Sequence, residues 1–489
     1  MTAGGPGPRQ RISTGIPGLD TVLHGGFLRG RTYMVMGLPG AGKTILANQT
    51  CFHHIRQGER VLYVTLLAES HAELVSNMHT LSFFDTSRIP DTVTYVSAFN
   101  ALEDGGLEAL LELIRKEIRL RGASLLVLDG LVAAEEVASS PQALKRFIHS
   151  LQVVTHLLEC TTLILTTGAG KGLRAEHTMV DGLIVLQQRT QGVRTRRELY
   201  VRKFRGGPHL LGRHGFEITA DGLVVYPRLE SMVADIGGEE PPPSLRRPFG
   251  VPGLDTMLQG GVASGSTTLL FGPPGGGKTL LGVNFLAEGA RRGELSHYFA
   301  FYDSPTRMIE QARGIGVDLL SLMKQGTFEV SFRPPTENLL DKLGTQLLTL
   351  VRERRVRRLF VDGYDALQKA STQRGRVVRF LAALVSECRQ RDVTLLFSAE
   401  TPSAFGPQLH FPLQGLSMVA ENTLYLRTVE LNAQLRRFVC VLKMRTSDYD
   451  PSFRELLIGS TGLEVGPVLE EGQQLLTGVA RFPFLPRGQ

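Results

Sequence analysis

Two short glycine-rich stretches of the chain carry the residue types and spacing of a phosphate-binding loop. Residues 37–44 read GLPGAGKT and residues 272–279 read GPPGGGKT, so both match the pattern G-x-x-x-x-G-K-[ST]. In such a loop, backbone N–H groups surround an anion, and the following helix adds the positive end of its dipole. The lysine would reach the β- and γ-phosphates, and the hydroxyl group after it would bind Mg²⁺. The two stretches therefore predict two sites for ATP and Mg²⁺.

The predicted nucleotide contacts are the loop residues and the first turn of the helix after each loop. They are Gly40, Ala41, Gly42, Lys43, Thr44 and Leu46 in the first stretch, and Gly275, Gly276, Gly277, Lys278, Thr279 and Leu280 in the second. The two lysines are also expected to act in catalysis, as cations at the transferred phosphate. An apolar, β-prone run precedes each loop and a helical pattern follows it, which is the context that the motif requires.

An aspartate ends an apolar run downstream of each loop, in LLVLD at 125–129 and in LFVD at 359–362. The carboxyl end of a parallel strand lies beside the phosphate loop, where a carboxylate can hold Mg²⁺ through water. An aspartate after a buried strand also serves as a turn or helix cap, but its recurrence behind both loops favours the metal role. The predicted metal ligands are Thr44, Asp129, Thr279 and Asp362.

One unit of sequence occurs twice in the chain. TGIPGLD at 14–20 returns as FGVPGLD at 249–255, and the same offset of 235 residues relates the two phosphate loops. A proline-rich, charged stretch between the copies has the composition of a semi-rigid linker. The predicted organisation is a disordered tail at 1–10, a first domain at 11–232, a linker at 233–246, a second domain at 247–470 and a C-terminal tail at 471–489.

Apolar strand patterns alternate with amphipathic helical patterns within each copy. The last part of each copy, 197–226 and 436–464, shows strands without long helices. This order predicts an α/β fold in which a mainly parallel sheet is flanked by helices and carries hairpins at its edge.

Composition narrows the functional classes. The chain has no apolar run of about 18 residues and no apolar signal segment at its start, so we expect a cytoplasmic protein without a membrane span. The four cysteines form no C-x-x-C pair, which argues against zinc, and three lie in apolar surroundings typical of buried free thiols. A net charge of +7 permits contact with nucleic acid without requiring it.

Together these features resemble the KaiC family, the bacterial clock ATPases of the RecA-like superfamily, over nearly the whole chain. The resemblance rests on the paired G-[IV]-P-G-L-D openings, the two phosphate loops, the aspartate-ended strands and the pattern K-x-R-G-x-x-H at 203–209. It implies two tandem RecA-like ATPase domains and homohexameric rings with ATP between subunits. It also implies a timing or signalling switch or scaffold, with a signalling protein partner that the sequence does not name.

In family members the K-x-R-G-x-x-H pattern reaches the nucleotide of the neighbouring subunit, which implies this role for Lys203, Arg205 and His209. Cations aimed at the γ-phosphate stabilise the charge of phosphoryl transfer. On spacing alone, the alternative is a solvated basic strand face. Family members also carry two adjacent glutamates after the strand that follows the loop helix. The first copy has one, Glu69, as the candidate base, or alternatively as an acid at a helix N-terminus.

The second copy departs from the family pattern in its tail and in its carboxylate. It keeps Lys443 and Arg445, but Tyr449 stands at the histidine position. Asp303 is the candidate catalytic carboxylate, and it is one methylene shorter than a glutamate. Because reach to the nucleophile decides catalysis, we expect the second site to bind ATP and to hydrolyse it poorly.

Family clock proteins phosphorylate themselves on neighbouring serine and threonine residues of the second copy. Ser417 matches the serine, so it is the candidate autokinase phosphosite, while Met418 replaces the threonine and cannot accept phosphate. A cycle that uses two phosphorylated residues is therefore not expected. A lone serine before a strand also occurs for structural reasons.

An arginine run precedes the second aspartate strand, comprising Arg352, Arg354, Arg355, Arg357 and Arg358. We interpret it as a solvated helix end, with contact to nucleic acid or to an acidic partner as the alternative. A DNA-dependent RecA/RadA-like ATPase is the rival function, but the sequence has no zinc knuckle and no aromatic and basic single-strand groove. A nucleotide-stabilised scaffold with little turnover is the third possibility.

Overall fold

The computed structural model describes residues 10–67, 71–168, 178–233, 245–371, 373, 375–401, 415–431 and 434–468. The chain divides into two compact units, Met1–Met232 and Val233–Gln489, and the division falls at the predicted start of the linker. Within the described residues, no helix combines the length and the apolar composition needed to cross a lipid bilayer.

The first unit contains a two-stranded ribbon, β1 (Arg11–Ile12) and β2 (Phe27–Leu28), and a nine-stranded sheet. The strands of the sheet are β3 (Thr32–Met36), β4 (Val61–Thr65), β5 (Val93–Ser97), β6 (Leu125–Asp129), β7 (Thr161–Thr166), β8 (Gly182–Gln191), β9 (Arg194–Phe204), β10 (His214–Thr219) and β11 (Gly222–Tyr226). Their order across the sheet is β11-β10-β9-β8-β3-β7-β6-β4-β5. Strands β3 to β8 are parallel, and β8 to β11 form antiparallel hairpins at one edge.

Helices pack on both faces of this sheet. They span Leu19–Val22, Lys43–Arg56, His71–Met78, Phe99–Arg121, Leu131–Val137, Pro141–Leu157 and Leu229–Met232, with a 3-10 turn at Thr86–Arg88. Successive side chains of β3 enter different apolar clusters, Tyr33 and Val35 on one face and Met34 and Met36 on the other. Burial on both faces is typical of parallel sheets, whose crossover helices cover them.

The second unit repeats this architecture. A ribbon of β12 (Arg246–Arg247) and β13 (Val262–Ala263) accompanies a nine-stranded sheet. The strands of that sheet are β14 (Thr267–Gly272), β15 (Ser296–Ala300), β16 (Phe328–Phe332), β17 (Arg358–Asp362), β18 (Thr394–Glu400), β19 (Asn422–Leu431), β20 (Gln434–Lys443), β21 (Arg454–Gly459) and β22 (Gly462–Val468). Their order is β16-β15-β17-β18-β14-β19-β20-β21-β22.

Its helices span Pro252–Met257, Lys278–Arg291, Pro305–Gly314, Leu319–Lys324, Leu340–Arg352, Tyr364–Ala370, Arg376–Gln390 and Leu416–Val419. Strands β14 to β19 are parallel to their neighbours, and β19 to β22 are antiparallel hairpins. The predicted fold class, two α/β domains with mainly parallel sheets and hairpins at the edge, is therefore confirmed.

Candidate functional site

Each phosphate loop connects the central strand of its sheet to the helix that follows. The first loop runs from β3 to the helix Lys43–Arg56, and the second runs from β14 to the helix Lys278–Arg291. Gly42 and Gly277, directly before these helices, have φ angles of 99° and 96°, a left-handed conformation that favours glycine. The first N–H groups of each helix thus face the carboxyl edge of the sheet, where an anion would bind.

The two loop lysines have similar surroundings. Lys43 Nζ donates to the carbonyl oxygen of Gly37 at 2.7 Å, and Lys278 Nζ donates to those of Gly272 at 3.0 Å and Pro273 at 2.8 Å. Burial lowers the pKa of both lysines, and nearby carboxylates oppose that effect. Each ammonium group is therefore folded over its own loop, where it can meet a β- or γ-phosphate.

Hydroxyl groups converge on the aspartate behind the second loop. Thr279 Oγ1 and the hydroxyl of Tyr298 each donate to Asp362 Oδ2 at 2.8 Å, and Ser398 donates to Asp362 Oδ1. Burial and the charge of Asp362 raise the pKa of Tyr298 far above its usual value, so this hydroxyl stays a donor. The carboxylate is held in one orientation beside the loop.

The first unit has a sparser version of the same arrangement. The hydroxyl of Tyr63 donates to Asp129 Oδ2 at 2.6 Å, whereas Thr44 Oγ1 lies 3.5 Å from that oxygen. In strand register Asp129 faces Leu165, where the second unit has a serine. Sequence reasoning missed the tyrosines, although Tyr63 and Tyr298 are related by the same 235-residue offset as the loops.

Paired hydroxyl and carboxylate oxygens are hard ligands that suit Mg²⁺. Among the described residues, no group of three or more histidine, cysteine, aspartate or glutamate side chains could hold a metal ion. Mg²⁺ would therefore be bound by the threonine and aspartate oxygens together with phosphate oxygens and water. The positions of Thr44, Asp129, Thr279 and Asp362 fit this prediction.

A cavity opens above each loop. The first, of about 360 Å³, is lined by Gly40, Lys43, Thr44 and Asp129, among other residues. The second, of about 390 Å³, is lined by Gly275, Gly277, Lys278, Thr279, Leu280 and Asp362, among other residues. The N–H groups of Ala41 and Gly276 donate within their own loops, to the carbonyl oxygens of Leu38 at 3.1 Å and Pro273 at 3.2 Å. The structure thus gathers most of the predicted loop contacts around two cavities.

One predicted contact, Leu46, is corrected by the structure. Its side chain is fully buried in the hydrophobic core beneath the loop, so it cannot touch a nucleotide. The residue 235 positions before Leu280 is Ile45, which is only partly buried. Ile45 packs against the same apolar cluster as Leu46 but stays partly exposed, because adjacent helical residues lie on different faces.

Of the two candidate catalytic carboxylates, the structure describes only Asp303. Glu69 lies outside the residues that the structure describes. Asp303 follows β15 and lines the second cavity, beside the half-exposed Tyr302. Three charged residues that sequence reasoning missed also line this cavity, namely Asp365, Glu400 and Arg437. Arg437 Nε donates to the carbonyl oxygen of Gly275 at 2.9 Å, so this arginine of β20 holds the phosphate loop of its own unit.

The predicted tail cations of the first unit lie far from the phosphate loop of that unit. Lys203, on β9, and Arg205 both donate to the carbonyl oxygen of Thr178. The backbone N–H of Arg205 donates to Asp181, whose own N–H donates to Thr32 at the amino end of β3. The loop begins at the other, carboxyl end of β3. These two cations therefore lie at the opposite end of the sheet from their own loop.

The second unit repeats this placement. Lys443 Nζ donates to the carbonyl oxygen of Ala420 at 2.8 Å, and Arg445 donates to that of Met418 at 3.3 Å. Glu421 directly follows Ala420 in the chain, and its N–H donates to the carbonyl oxygen of Thr267 at the amino end of β14. Burial lowers the pKa of both Lys203 and Lys443, and so does the charge of the arginine two positions further along each chain segment.

The third tail residue is separate from the first two. The ring of His209 lies 6.2 Å from that of Phe204, which alternates with Lys203 on β9 and so points to the other face. Burial, helped by the charge of His24, lowers the pKa of His209. In the second unit, the hydroxyl of Tyr449 donates to the carbonyl oxygen of Leu442 at 3.2 Å.

The candidate phosphosite, Ser417, lies in the short helix Leu416–Val419, and its side chain is outside the described part of the structure. The adjacent Met418 is 75% exposed. This helix therefore stands at the surface, directly before β19.

The interpretation of the arginine run as a solvated helix end is wrong for Arg358. This residue opens β17, its side chain is fully buried, and its guanidinium forms an ion pair with Glu294. Arg352, in the last turn of its helix, pairs with the buried Glu387. The helix ends at Arg352, so the rest of the run enters the sheet or precedes it.

A glycine loop between the central strand of a parallel sheet and a helix, backed by a threonine and an aspartate, makes each unit a P-loop nucleotide-binding domain of the RecA-like class. Comparison with protein families agrees and is more specific. The family model described as "ATPase: KaiC" matches residues 12–230 and matches again at residues 247–470. The chain belongs to the KaiC ATPase family.

Individual relatives align along almost the whole chain. "Circadian clock oscillator protein KaiC" of Picosynechococcus sp. is 28% identical over 487 residues, which cover 96% of this chain and 92% of that protein. "Circadian clock protein KaiC3" of Synechocystis sp. is 28% identical over 492 residues, which cover 97% and 95%. "Circadian clock oscillator protein KaiC 1" of Synechocystis sp. is 26% identical over 487 residues, which cover 96% and 91%.

Proposed function

We propose that this protein binds ATP and Mg²⁺ at two sites per chain, hydrolyses ATP, and uses the nucleotide state of a homohexameric ring as a timing or signalling switch. The observation that carries the proposal is the duplicated set of loop, lysine, threonine and aspartate, each set beside its own cavity. Relatives named as circadian clock proteins, similar along the whole chain, support the switch. The proposed setting is the cytoplasm, with a protein partner that is still to be identified.

In this proposal each residue has a defined task. Loop N–H groups and the lysine bind the phosphates and stabilise the charge that develops on the γ-phosphoryl group. The threonine and the aspartate orient Mg²⁺, and the tyrosine hydroxyl holds that aspartate. Mg²⁺, when bound, neutralises charge on the phosphate oxygens.

The tail cations support the proposed ring. Lys203 and Arg205 lie at the end of the sheet opposite to their own loop, so the nucleotide that they serve would belong to a neighbouring copy. Lys443 and Arg445 would do the same in the second unit. His209, beside Phe204, would join them only after a movement of the tail.

The two sites would differ in speed. Asp303 is shorter than the glutamate expected of the family, so slow hydrolysis in the second unit and faster hydrolysis with Glu69 in the first unit form part of the proposal. Autophosphorylation of Ser417 is a further proposed activity, limited to one residue because its neighbour is Met418. Stimulation by DNA would instead favour the RecA/RadA-like alternative, and the absence of turnover would favour the scaffold.

Counting bound nucleotides tests the two-site proposal. We expect about two nucleotides per wild-type chain and one in Lys43→Ala or in Lys278→Ala, because each loop has a single lysine. Lys116→Ala is the control, since this exposed lysine lies on the helix Phe99–Arg121 and is not among the residues that line the cavity of its unit. The measurement is nucleotide released by denaturation and quantified by chromatography. A wild-type count of one would contradict the proposal, as would a control that loses nucleotide.

A further inference from the structure

The second cavity contains a carboxylate that the first cavity lacks. Glu400 is the last residue of β18, the strand directly beside β14, and its register partner is Gly272, the first residue of the phosphate loop. Its Oε1 lies 3.9 Å from Lys278 Nζ, and its side chain is 54% exposed. This acid thus faces the loop lysine from the edge of the cavity.

The matching position of the first unit is occupied by a neutral residue. There the N–H of Gly37, which starts the first loop, donates to Thr166, so the residue level with Glu400 is Thr167. Thr167 lines the first cavity and has no carboxylate. A feature present in one copy only is not a general requirement of the repeated fold.

A second acid lies near Glu400. Asp365 lines the same cavity, three residues after Asp362. Burial, followed by the charge of Glu400, raises the pKa of Asp365. The corresponding residue in the first unit is Val132, three residues after its strand aspartate. The second cavity is therefore lined by two acids, Glu400 and Asp365, at positions where the first has a threonine and a valine.

Distance to the loop lysine favours Glu400 over Asp303 as the base of this site. Its carboxylate lies 3.9 Å from Lys278 Nζ, and it ends the strand directly beside the loop strand. Its length equals that of the glutamates that act as bases elsewhere, whereas Asp303 is one methylene shorter.

We propose that Glu400 is the general base of the second nucleotide site, an inference that rests on the proposed ATPase function. Its carboxylate accepts one proton from a water molecule while the water oxygen forms a bond to the γ-phosphorus. The bond between the γ-phosphorus and the oxygen that bridges to the β-phosphate breaks, and that oxygen leaves on ADP. The proton is then released to solvent, and the products are ADP and inorganic phosphate.

The test replaces the acid without changing its size. Glu400→Gln and Asp303→Asn are each loaded with ATP and Mg²⁺, desalted, and analysed over time for bound ATP and ADP. We expect Glu400→Gln to slow conversion at one site by about a hundredfold or more, so that one ATP per chain is trapped. ATP affinity should be unchanged or tighter, because a negative charge beside the phosphates has been removed. Asp303→Asn should slow this conversion far less than Glu400→Gln does, because Asp303 is the shorter acid.

Two further variants locate the effect. In Lys278→Ala combined with Glu400→Gln, the trapped ATP should disappear, because its site has been removed. Glu310→Gln changes an exposed acid of the helix Pro305–Gly314 and should behave as the wild type.

The outcomes separate this proposal from the function on which it rests. The role of Glu400 is overturned if Glu400→Gln converts all its ATP at the wild-type rate, if Asp303→Asn alone traps ATP, or if the wild-type protein never converts the ATP of its slower, second site. It is also overturned if trapped ATP survives the loss of Lys278. A wild-type protein that binds no ATP refutes the proposed function itself.

Discussion

At the scale of single residues, Arg358 shows how a charge is accommodated inside the second unit. Its Nε donates to Glu294, and one terminal nitrogen donates to the carbonyl oxygens of Pro248 at 2.7 Å and Phe285 at 2.9 Å. The guanidinium also lies 4.5 Å from the ring centre of Phe285. A charge buried with such partners is costly to remove, because the two carbonyl oxygens would lose their donor and Glu294 would keep only its ion pair with Arg247.

Arg358→Leu should therefore lower the free energy of unfolding of the second unit by about 3–5 kcal/mol. Arg355→Ala, in the same run but at an exposed position, should change it by less than about 0.5 kcal/mol. Urea unfolding of the full chain, followed by hydrogen exchange in β17, measures both. Equal effects of the two substitutions would mean that the buried ion pair contributes nothing.

The residues that sequence reasoning identified are those whose motif is local. The glycines, the lysine and the threonine of each loop are consecutive, so their spacing alone is informative. The partners of Arg358 and Glu400 are brought near by pairing between strands that are distant in the chain. No periodicity in the sequence reports such a contact, which explains why the burial of Arg358 was not predicted.

At the scale of elements, the edge strand β16 of the second unit and its neighbour β15 contain a polar cluster. His297 on β15 is buried, with Nδ1 at 3.2 Å from Glu329 and Nε2 at 3.0 Å from Ser331, both on β16. Burial lowers the pKa of His297 to about 4, with smaller contributions from Glu329, which raises it, and from Arg354 and Arg333, which lower it. In the unfolded chain this imidazole would have the ordinary histidine pKa of 6.5.

Between these two pH values the unfolded chain binds more protons, so the stability of the second unit should fall as the pH decreases from 6.5 to about 4. Amide hydrogen exchange measures this, since protection of β15 should decrease over that range after correction for intrinsic rates. His297→Leu is the control, because leucine occupies the equivalent position of the first unit, Leu62. In this variant the decrease in protection of β15 should be lost. Constant protection of β15 down to the lower pH would contradict the prediction.

The order of elements was predictable because alternating apolar patterns identify strands and helices along the chain. The pairing order was not, since β3 lies between β7 and β8 and not beside β4, which follows it in sequence. That order decides which side chains meet at the loop, as Glu400 illustrates.

At the scale of the whole molecule, ATP should drive assembly. A ligand bound between copies stabilises the assembled state by mass action. Light scattering with ATP and Mg²⁺ should show about a sixfold increase in mass, as expected for a closed ring of the family. Lys203→Ala with Arg205→Ala should weaken the increase, because the γ-phosphate would lose its contacts from the neighbour.

Arg202→Ala is the matched control for this prediction. Arg202 is exposed on the same strand, whereas Lys203 and Arg205 both donate to the carbonyl oxygen of Thr178. Assembly of this variant should equal that of the wild type. A wild-type protein that stays monomeric at micromolar concentration with ATP would exclude the proposed ring.

If Lys203 and Arg205 serve the loop of a neighbouring copy, as proposed, their separation from their own loop gives each copy of the chain a donating face and a receiving face. In an open row of copies, one terminal copy would have a loop without cations, and the other would have cations without a loop. A row of n copies would thus hold n − 1 completed sites of each kind, whereas a closed row would hold n. Joining the two ends would therefore complete the last site without any change inside a copy, and activity per chain would report closure.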